Sequence, residues 1–399
     1  PILSCPAPPV PAQAPTQRFR MRSKRTTLTA LLLAALTAPV AAVQVPGPDS
    51  VPPAPSKPVQ VFLLLGQSNM LGFGQVGPEE TPGTLLHLTK RQDRYPHLLD
   101  DQGEWTVRDD VYYVQTTVGH RQHPLTVQGR FIGVELQLGH VLGDALDAPV
   151  LILKACIGNR SLGWDLLPPG SERFEHDGKL YAGYGESPLC WDVGTEPVPI
   201  DWYAGKQYDT DVANAKQVLA HLEDYYPGYR GQGYEVAGFV FWQGHKDQNP
   251  AHASRYEQNL VRLIRTLRED FDAPDAKFAL ATIAFGGDAL AGDGLTVAEA
   301  QLAVDGATGR CEEFRGNVRT VDARPFWRGE EVSPNGRGYH YNHNAETYMG
   351  VGDALGRAMV EMLLEGDRAP AARHGAAGDP DVRIEQVYLA QTHVLAPDD

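Results

Sequence analysis

The chain has few cysteines, no excess of positive charge and no apolar run of membrane-spanning length. Only four of its 399 residues are cysteine, too few for a disulfide scaffold. A formal net charge of −15 argues against a polyanionic partner, so no nucleic acid is expected. The apolar run at residues 28–36 is too short to span a bilayer permanently. The remaining composition, 42% hydrophobic and 21% charged, is that of an ordinary soluble globular protein.

The first 58 residues have the order of a targeting segment. Basic residues at positions 20–25 precede the apolar run, and Val40-Ala41-Ala42 offers small residues for cleavage. This order predicts an upstream artefact at residues 1–20, a signal peptide at 21–42 and a proline-rich linker at 43–58. We therefore expect a secreted, periplasmic or cell-surface protein without stable membrane insertion after cleavage. An uncleaved anchor is the alternative.

Between residues 59 and 365, buried-strand patterns alternate with amphipathic helix patterns. The strand patterns are continuous apolar runs, as expected for parallel strands covered on both faces. They lie at residues 61–65, 150–155, 236–242, 278–284 and 318–321, and helices are predicted at 133–146, 211–225, 255–271 and after Asn344. These units predict an α/β fold, a doubly wound three-layer α/β/α domain with a mostly parallel five-stranded, flavodoxin-like sheet.

Two long segments interrupt this alternation and predict functional insertions. Residues 74–130 and 163–206 are rich in glycine, proline, aspartate and aromatic residues. The aromatic side chains of the second insertion could stack against sugar rings, or could pack its own small core. Beyond the domain, residues 366–380 are predicted to be a linker and 381–399 the truncated start of a further module.

Residues suited to acyl transfer follow the predicted strands. In doubly wound sheets, ligands bind at the carboxyl ends of the strands. Acyl transfer needs a nucleophile, a base and donors that stabilise the oxyanion. We expect Ser68, in the GQSNM segment at residues 66–70, to be the nucleophile and His340 its general base. The backbone N–H groups of Ser68 and Gly158 and the side-chain amide of Gln243 would hold the oxyanion.

This set of motifs resembles the SGNH (GDSL-like) hydrolases, in particular the sialate O-acetylesterase and acetylxylan esterase branch. GQSNM matches its nucleophile block letter for letter, and residues 158–162 match the G-G-x-S-L block with Asn159 replacing the second glycine. Residues 242–247 are a near variant of the W-x-Q-G-E-x-D block. The resemblance covers about residues 59–364 and implies a serine esterase that acts on acetylated carbohydrates without a cofactor. Gln67 and Asn69 join the predicted oxyanion or substrate-binding set.

The sequence departs from the family pattern at two positions. The acid that many relatives carry three residues before the catalytic histidine is Arg337 here, and the frequent glutamate after Gln-Gly is His245. Asp247, Asp322 and Glu331 are therefore the candidates for the acid that orients the imidazole, with Asp247 taken as the third catalytic residue. A Ser–His dyad held by a backbone carbonyl is the other possibility.

Two further choices concern the histidines near the last helix. His343 competes with His340 as the base, but its position at the start of the helix is explained by capping. His245 is interpreted as a polar residue that lines the cleft. No metal site is predicted, because His340 and His343 lack further ligands at suitable spacing.

The sequence thus predicts a secreted serine esterase that removes O-acetyl groups from carbohydrates of the acetylated xylan or sialic acid type by an acyl-enzyme mechanism. One alternative is a lipase or thioesterase of the same fold. The other is a non-catalytic carbohydrate-binding or structural module on a degenerate hydrolase scaffold, which the missing acid before His340 would explain.

Overall fold

The structure, a computed structural model, describes residues 54–368. The predicted artefact, the signal peptide, most of the first linker, and residues 369–399 with the predicted further module lie outside the described residues. The proposed domain boundaries at these two ends therefore remain predictions.

The described residues form twelve strands and nine α-helices. In chain order the strands are β1 (Val59–Gly66), β2 (Gly74–Gln75), β3 (Val111–Gln115), β4 (Arg121–Pro124), β5 (Phe131–Ile132), β6 (Val150–Lys154), β7 (Phe174–His176), β8 (Lys179–Tyr181), β9 (Cys190–Asp192), β10 (Tyr234–Trp242), β11 (Lys277–Ala281) and β12 (Val318–Val321). The helices are α1 (Ser68–Leu71), α2 (Leu85–Arg91), α3 (Glu135–Ala145), α4 (Lys206–Ala220), α5 (Leu222–Tyr225), α6 (Pro250–Ala253), α7 (Tyr256–Asp270), α8 (Gly292–Ala303) and α9 (Ala345–Arg368). Short 3₁₀ turns connect several of them, including one at His340–His343.

The central sheet has the order β12-β11-β10-β1-β6-β3-β4, and all of its strands are parallel except β4. The predicted mostly parallel α/β fold is confirmed, and the five predicted strands form the contiguous part from β12 to β6. The predicted number of five strands is wrong, because β3 and β4 add two strands. Both come from the first insertion, where the short run at residues 111–115 is stabilised by pairing with β6 rather than by a long apolar pattern.

The side chains of β1 show why the sheet is covered on both faces. Val61, Leu63 and Leu65 belong to one buried cluster, whereas Phe62 and Leu64 belong to the other. Successive side chains of a strand point to opposite faces, so a continuous apolar run fills two cores at once. Each fully buried side chain of this kind stabilises the fold by roughly 1.5–3 kcal/mol.

The helices form the two outer layers. The apolar faces of α4, α7 and α8 pack in the cluster that contains Val61, while α3 and α9 pack in the cluster that contains Phe62. The predicted helices at 133–146, 211–225 and 255–271 correspond to α3, to α4 with α5, and to α7. Asn344 caps α9 as expected, since its Oδ1 accepts a hydrogen bond from the Glu346 N–H at 3.0 Å. Among the described helices, none has the length and apolar character needed to cross a bilayer.

The second insertion carries its own small core. Trp164 and Trp191 are each 8% exposed and pack with Leu167, Ala182 and Ala204. The Arg160 guanidinium lies 4.9 Å from the Trp202 ring centroid. The aromatic side chains therefore pack largely within the insertion or against cations, which favours the small-core interpretation over an open sugar platform.

The order in which successive strands are added to the sheet changes direction at β1. Strands β6 and β3 lie on one side of β1, and β10 to β12 lie on the other. Such a switch point opens a crevice at the carboxyl ends of the adjacent strands. The segments after β1, β6 and β10 meet there.

Candidate active site

A tight turn after β1 presents Ser68. Gly66 has φ 148°, and a Cβ at this position would lie 2.3 Å from the Trp242 carbonyl oxygen of the neighbouring strand, so only glycine fits. The Gln67 N–H bonds to the same carbonyl at 3.4 Å. The helix α1 then begins at Ser68, which is 8% exposed. The glycine of the GQSNM segment is thus required by the close approach of two strands.

Ser68 and His340 line one cavity at the carboxyl edge of the sheet. Its volume is about 500 Å³. The lining residues are Gln67, Ser68, Phe73, Gly158, Asn159, His245, Lys246 and His340. The cavity therefore receives side chains from the segments after β1, β6 and β10 and from the turn before α9. The predicted nucleophile and the predicted base therefore share one open space large enough for an ester substrate.

Gly158 lies directly beside Ser68. A Cβ placed on Gly158 would be 3.6 Å from the Ser68 Cβ. Asn159, the departure from the family's second glycine, has φ 57°. Asparagine is among the residues that tolerate this left-handed conformation best, so the substitution preserves the turn.

Gln243 is not among the residues that line the cavity, and its contacts do not support the predicted oxyanion role. Gln243 is 0% exposed, and its Nε2 donates to the Asp247 Oδ2 at 2.6 Å and to the Arg160 carbonyl at 2.9 Å. The Oε1 accepts from the Tyr256 hydroxyl at 2.8 Å. Since both amide hydrogens are engaged, Gln243 connects the loops around the site rather than donating to an oxyanion.

The contacts of Asp247 shown by the structure do not include His340, so they do not support it as the orienting acid. Its carboxylate accepts from the N–H groups of Leu162 and Gly163, each at 2.8 Å, and its Oδ1 lies 3.3 Å from the His252 Nδ1. Asp247 is fully buried. It therefore fixes the loop that carries Gly158.

The other two candidate acids do not take its place. The Asp322 carboxylate binds the guanidinium of Arg324, with Nε at 2.9 Å, and Glu331 is an exposed residue. Within residues 54–368, no carboxylate lies within ion-pair distance of the His340 ring. The structure therefore supplies no acid partner for this imidazole in the part of the chain that it describes.

The two residues flanking Ser68 differ in position. Gln67 lines the cavity, and its Oε1 accepts from the Lys246 N–H at 3.4 Å. Asn69 is 1% exposed and is not among the lining residues, so its predicted contact with substrate is not supported. Both polar atoms of its side chain are buried and have no hydrogen-bond partner among the described residues.

The His340 imidazole is partly dehydrated. Burial, together with the nearby His343 and His245, lowers its pKa to about 4. The ring stacks on Phe73 with centroids 3.9 Å apart and planes at 7°. His343 does not line the cavity, and its ring lies edge-on to Phe131 at 5.4 Å. The placement thus favours His340 over His343 as the base.

The backbone that carries His340 is strained. Residues 340–343 have φ values of 50°, 50°, 54° and 58°, and none of them is glycine. A left-handed turn of L-residues costs roughly 1–2 kcal/mol per residue. Tyr341 offsets this cost by stacking between Trp242 and Phe285, each at 4.9 Å. The Asn342 Nδ2 also donates to the Arg328 carbonyl at 3.0 Å.

Two cavity residues were not found from the sequence. Phe73 lies three residues after GQSNM, and no sequence pattern there predicts a contact with a distant histidine. Lys246 lies in the third block at a position that the motif leaves variable. His245 lines the cavity, in agreement with its interpretation as a cleft residue. In the described part of the chain, no group of His, Cys, Asp and Glu side chains is arranged to hold a metal ion.

Residues 190–361 match the family described as "Carbohydrate esterase, sialic acid-specific acetylesterase". The matched residues include Gln243, Asp247 and His340, whereas Ser68 and Gly158 precede them. The match confirms the predicted resemblance and the predicted enzyme class, a carbohydrate O-acetylesterase. No curated protein matches the chain.

Several solved structures are similar at low identity. A protein of Arabidopsis thaliana is 18% identical, with 76% of this chain and 98% of that chain covered and a TM-score of 0.43. The structure named NanS is 14% identical, with 80% and 99% covered and a TM-score of 0.44. A carbohydrate acetylesterase from Xanthomonas citri is 13% identical, with 77% and 57% covered and a TM-score of 0.43.

Proposed function

We propose that the chain is a serine esterase that removes O-acetyl groups from carbohydrates through an acyl-enzyme. The observation that carries the proposal is the shared cavity, which contains Ser68, His340 and the Gly158 backbone. His340 accepts the Ser68 proton while Oγ attacks the acetyl carbonyl, and the N–H groups of Ser68 and Gly158 stabilise the oxyanion. The sugar hydroxyl leaves with the proton from His340. Water, activated by His340, then releases acetate from Ser68.

The test is turnover of p-nitrophenyl acetate and of acetylated sugars by the whole chain and its variants. Ser68→Ala and His340→Ala should each lower kcat by at least about a thousandfold, because nucleophile and base act as a unit. Ser171→Ala is the matched control, since Ser171 is also 8% exposed but lies in the second insertion. Unchanged turnover by Ser68→Ala would refute the mechanism.

The same assay separates the two alternatives. A lipase or thioesterase would hydrolyse octanoate esters faster than acetate esters. A non-catalytic module would bind glycans but would not be labelled by a serine-directed phosphonate. Selective acetate turnover with labelling at Ser68 is the result expected here.

We further propose that the sugar is acidic, as in O-acetylated sialic acid. None of the eight residues that line the cavity is acidic, although the chain carries a net charge of −15, and one of the eight, Lys246, is cationic. Lys246→Met should lower kcat/KM for an O-acetylated sialic acid about tenfold, because one hydrogen bond to a carboxylate is lost. Turnover of neutral acetylated xylan should stay unchanged. An equal loss on both substrates would contradict the acidic-sugar proposal.

Export from the cytoplasm is part of this proposal. The basic, apolar and small-residue order of residues 20–42 supports it. Fusing these residues to a reporter enzyme and measuring the reporter in the cytoplasmic and exported fractions tests it. A reporter that stays in the cytoplasm would contradict export.

A further inference from the structure

Among residues 54–368, no carboxylate partner of the kind that usually orients a catalytic imidazole lies within ion-pair distance of His340. The position three residues before it is Arg337, whose guanidinium donates to the Tyr339 hydroxyl at 3.2 Å. Asp247 is engaged at the Gly158 loop, as described above. In the residues that the structure describes, something other than a carboxylate must set the ring plane of His340.

Phe73 makes the closest ring contact with this imidazole. The two rings are nearly parallel, at 7°, with centroids 3.9 Å apart. Tyr339 is edge-on at 5.0 Å, and His343 is farther away at 5.9 Å. A stacked ring covers one face of the imidazole but leaves its edge free, and both ring nitrogens lie on that edge. Stacking therefore restricts rotation of the ring without occupying the nitrogen that accepts the proton.

Phe73 is itself held by the segment that carries the nucleophile. It follows α1 immediately after Gly72, whose N–H bonds to the Ser68 carbonyl at 3.2 Å. A Cβ on Gly72 would lie 2.5 Å from the Gly133 Cα, so the backbone here is tightly packed. Gly74 then pairs with Ile132 in the β2–β5 ladder. One short, fixed segment thus presents both Ser68 and the ring that covers His340.

The left-handed turn at residues 340–343 fixes the other side of the contact. Tyr341, which is 0% exposed, anchors the turn between Trp242 and Phe285. The Asn342 Oδ1 accepts from the Gly338 N–H at 2.8 Å and so closes the loop before His340. The imidazole is therefore confined by its own backbone and by Phe73.

We propose that Phe73 is a positioning residue for the general base, and that its stacked ring performs the orienting part of the role that an acid has in related enzymes. The inference rests on the proposed function of His340. Phe73 cannot supply the negative charge of an acid, so it sets the orientation and hydration of the ring only. This role depends on the Phe73–His340 contact and does not require an acidic residue at position 337.

The test compares Phe73→Leu with Phe73→Tyr in the full chain, using p-nitrophenyl acetate. Leucine keeps an apolar side chain but removes the ring, whereas tyrosine keeps the ring. We expect Phe73→Leu to lower kcat about tenfold with a smaller change in KM, and Phe73→Tyr to retain most of kcat. Removing the ring also hydrates the imidazole, which raises its pKa. The acid limb of the pH profile, the range in which kcat/KM falls as His340 is protonated, should therefore move to higher pH by about one unit.

Phe271→Leu is the matched control. Phe271 is also a half-buried phenylalanine, and it lies near the start of β11 at the opposite edge of the sheet. This variant should keep the kcat and the acid limb of the unsubstituted protein. Phosphonate titration of active sites and thermal unfolding correct for loss of folded protein. Phe73→Met serves in place of the leucine variant if the latter does not fold.

The possible outcomes are distinct. A ring-free variant with the kcat and acid limb of the unsubstituted protein would overturn the role of Phe73. A lower fraction of titratable sites without a change in the acid limb would show that Phe73 is only structural, which also overturns it. If the unsubstituted protein itself shows no turnover that depends on Ser68, the proposed function fails instead.

Discussion

At the scale of single residues, the site depends on an imidazole that is kept neutral. His340 has histidine neighbours and an aromatic neighbour, and burial is the largest cause of its lowered pKa. A neutral imidazole can accept the Ser68 proton, whereas a protonated one cannot. No acid partner among the described residues stabilises the protonated imidazole. His340 therefore stays neutral, and able to accept a proton, down to lower pH.

This leads to a prediction for the pH dependence. Since the pKa of His340 is about 4, kcat/KM for p-nitrophenyl acetate should fall through an acid limb with its midpoint near pH 4. An acid limb centred near the ordinary value of 6.5 would contradict the structure.

Stability must be followed in the same experiment. The folded protein binds this proton more weakly than the unfolded chain does, so protonation favours unfolding. The folded state therefore loses stability as the pH falls from the unfolded value of 6.5 towards 4. Circular dichroism at each pH separates this loss of folded protein from loss of the base.

Among the secondary-structure elements, α1 is held at its C-terminal end by a buried ion pair. Lys154, at the end of β6, is 0% exposed, and its Nζ lies 2.5 Å from the Glu135 Oε2 and 3.2 Å from the Leu71 carbonyl. The Glu135 Oε1 accepts from the Gly133 N–H at 3.2 Å. The pair therefore connects β6, α1 and the start of α3 beneath the site.

We predict different effects of breaking and of replacing this pair. Lys154→Met leaves Glu135 unpaired and should lower the free energy of unfolding by roughly 3–5 kcal/mol. The double variant Lys154→Met/Glu135→Leu should recover much of that stability, because two apolar groups replace two charges. Its kcat should stay below that of the unsubstituted protein, since the Leu71 carbonyl has lost its donor.

Urea unfolding and p-nitrophenyl acetate turnover measure the two quantities separately. Arg357→Met is the control for loss of a cation, since Arg357 is half exposed and pairs with Asp353 within α9. A double variant with both normal stability and normal kcat would show that the pair does not position α1.

For the molecule as a whole, residues 54–368 contain the two hydrophobic cores and the eight residues named above as lining the cavity. The sheet, its two helix layers and all eight lining residues lie within residues 54–368. We propose that the esterase domain predicted at residues 59–365 folds and acts independently of the segments around it.

A truncated chain of residues 54–368 tests this proposal. It should unfold in a single cooperative transition and keep kcat for p-nitrophenyl acetate within about twofold of the full chain, since it keeps the eight lining residues named above. Loss of either property, with the full chain active, would show that residues outside this range contribute to the fold or the site.

The amino-acid sequence was sufficient to predict five strands of the central sheet and the helices α3, α4, α7 and α9, and it proposed Ser68 as the nucleophile. The apolar runs of β1, β6, β10, β11 and β12 are local patterns whose meaning does not depend on distant residues. The GQSNM turn is also local, because Gly66 and Ser68 act within one strand–turn–helix. The choice of His340 followed from its place before a helix with a recognisable cap at Asn344.

The contacts between polar groups of distant segments could be seen only in the folded protein. Gln243 and Asp247 belong to a recognisable motif, yet their partners at residues 160–163 lie more than eighty positions away in the chain. The pairing of β3 with β6 and the stacking of Phe73 on His340 also join distant segments. A local pattern specifies a residue's own conformation, but side chains from separate segments become neighbours only when the packed sheet and helices fix their positions.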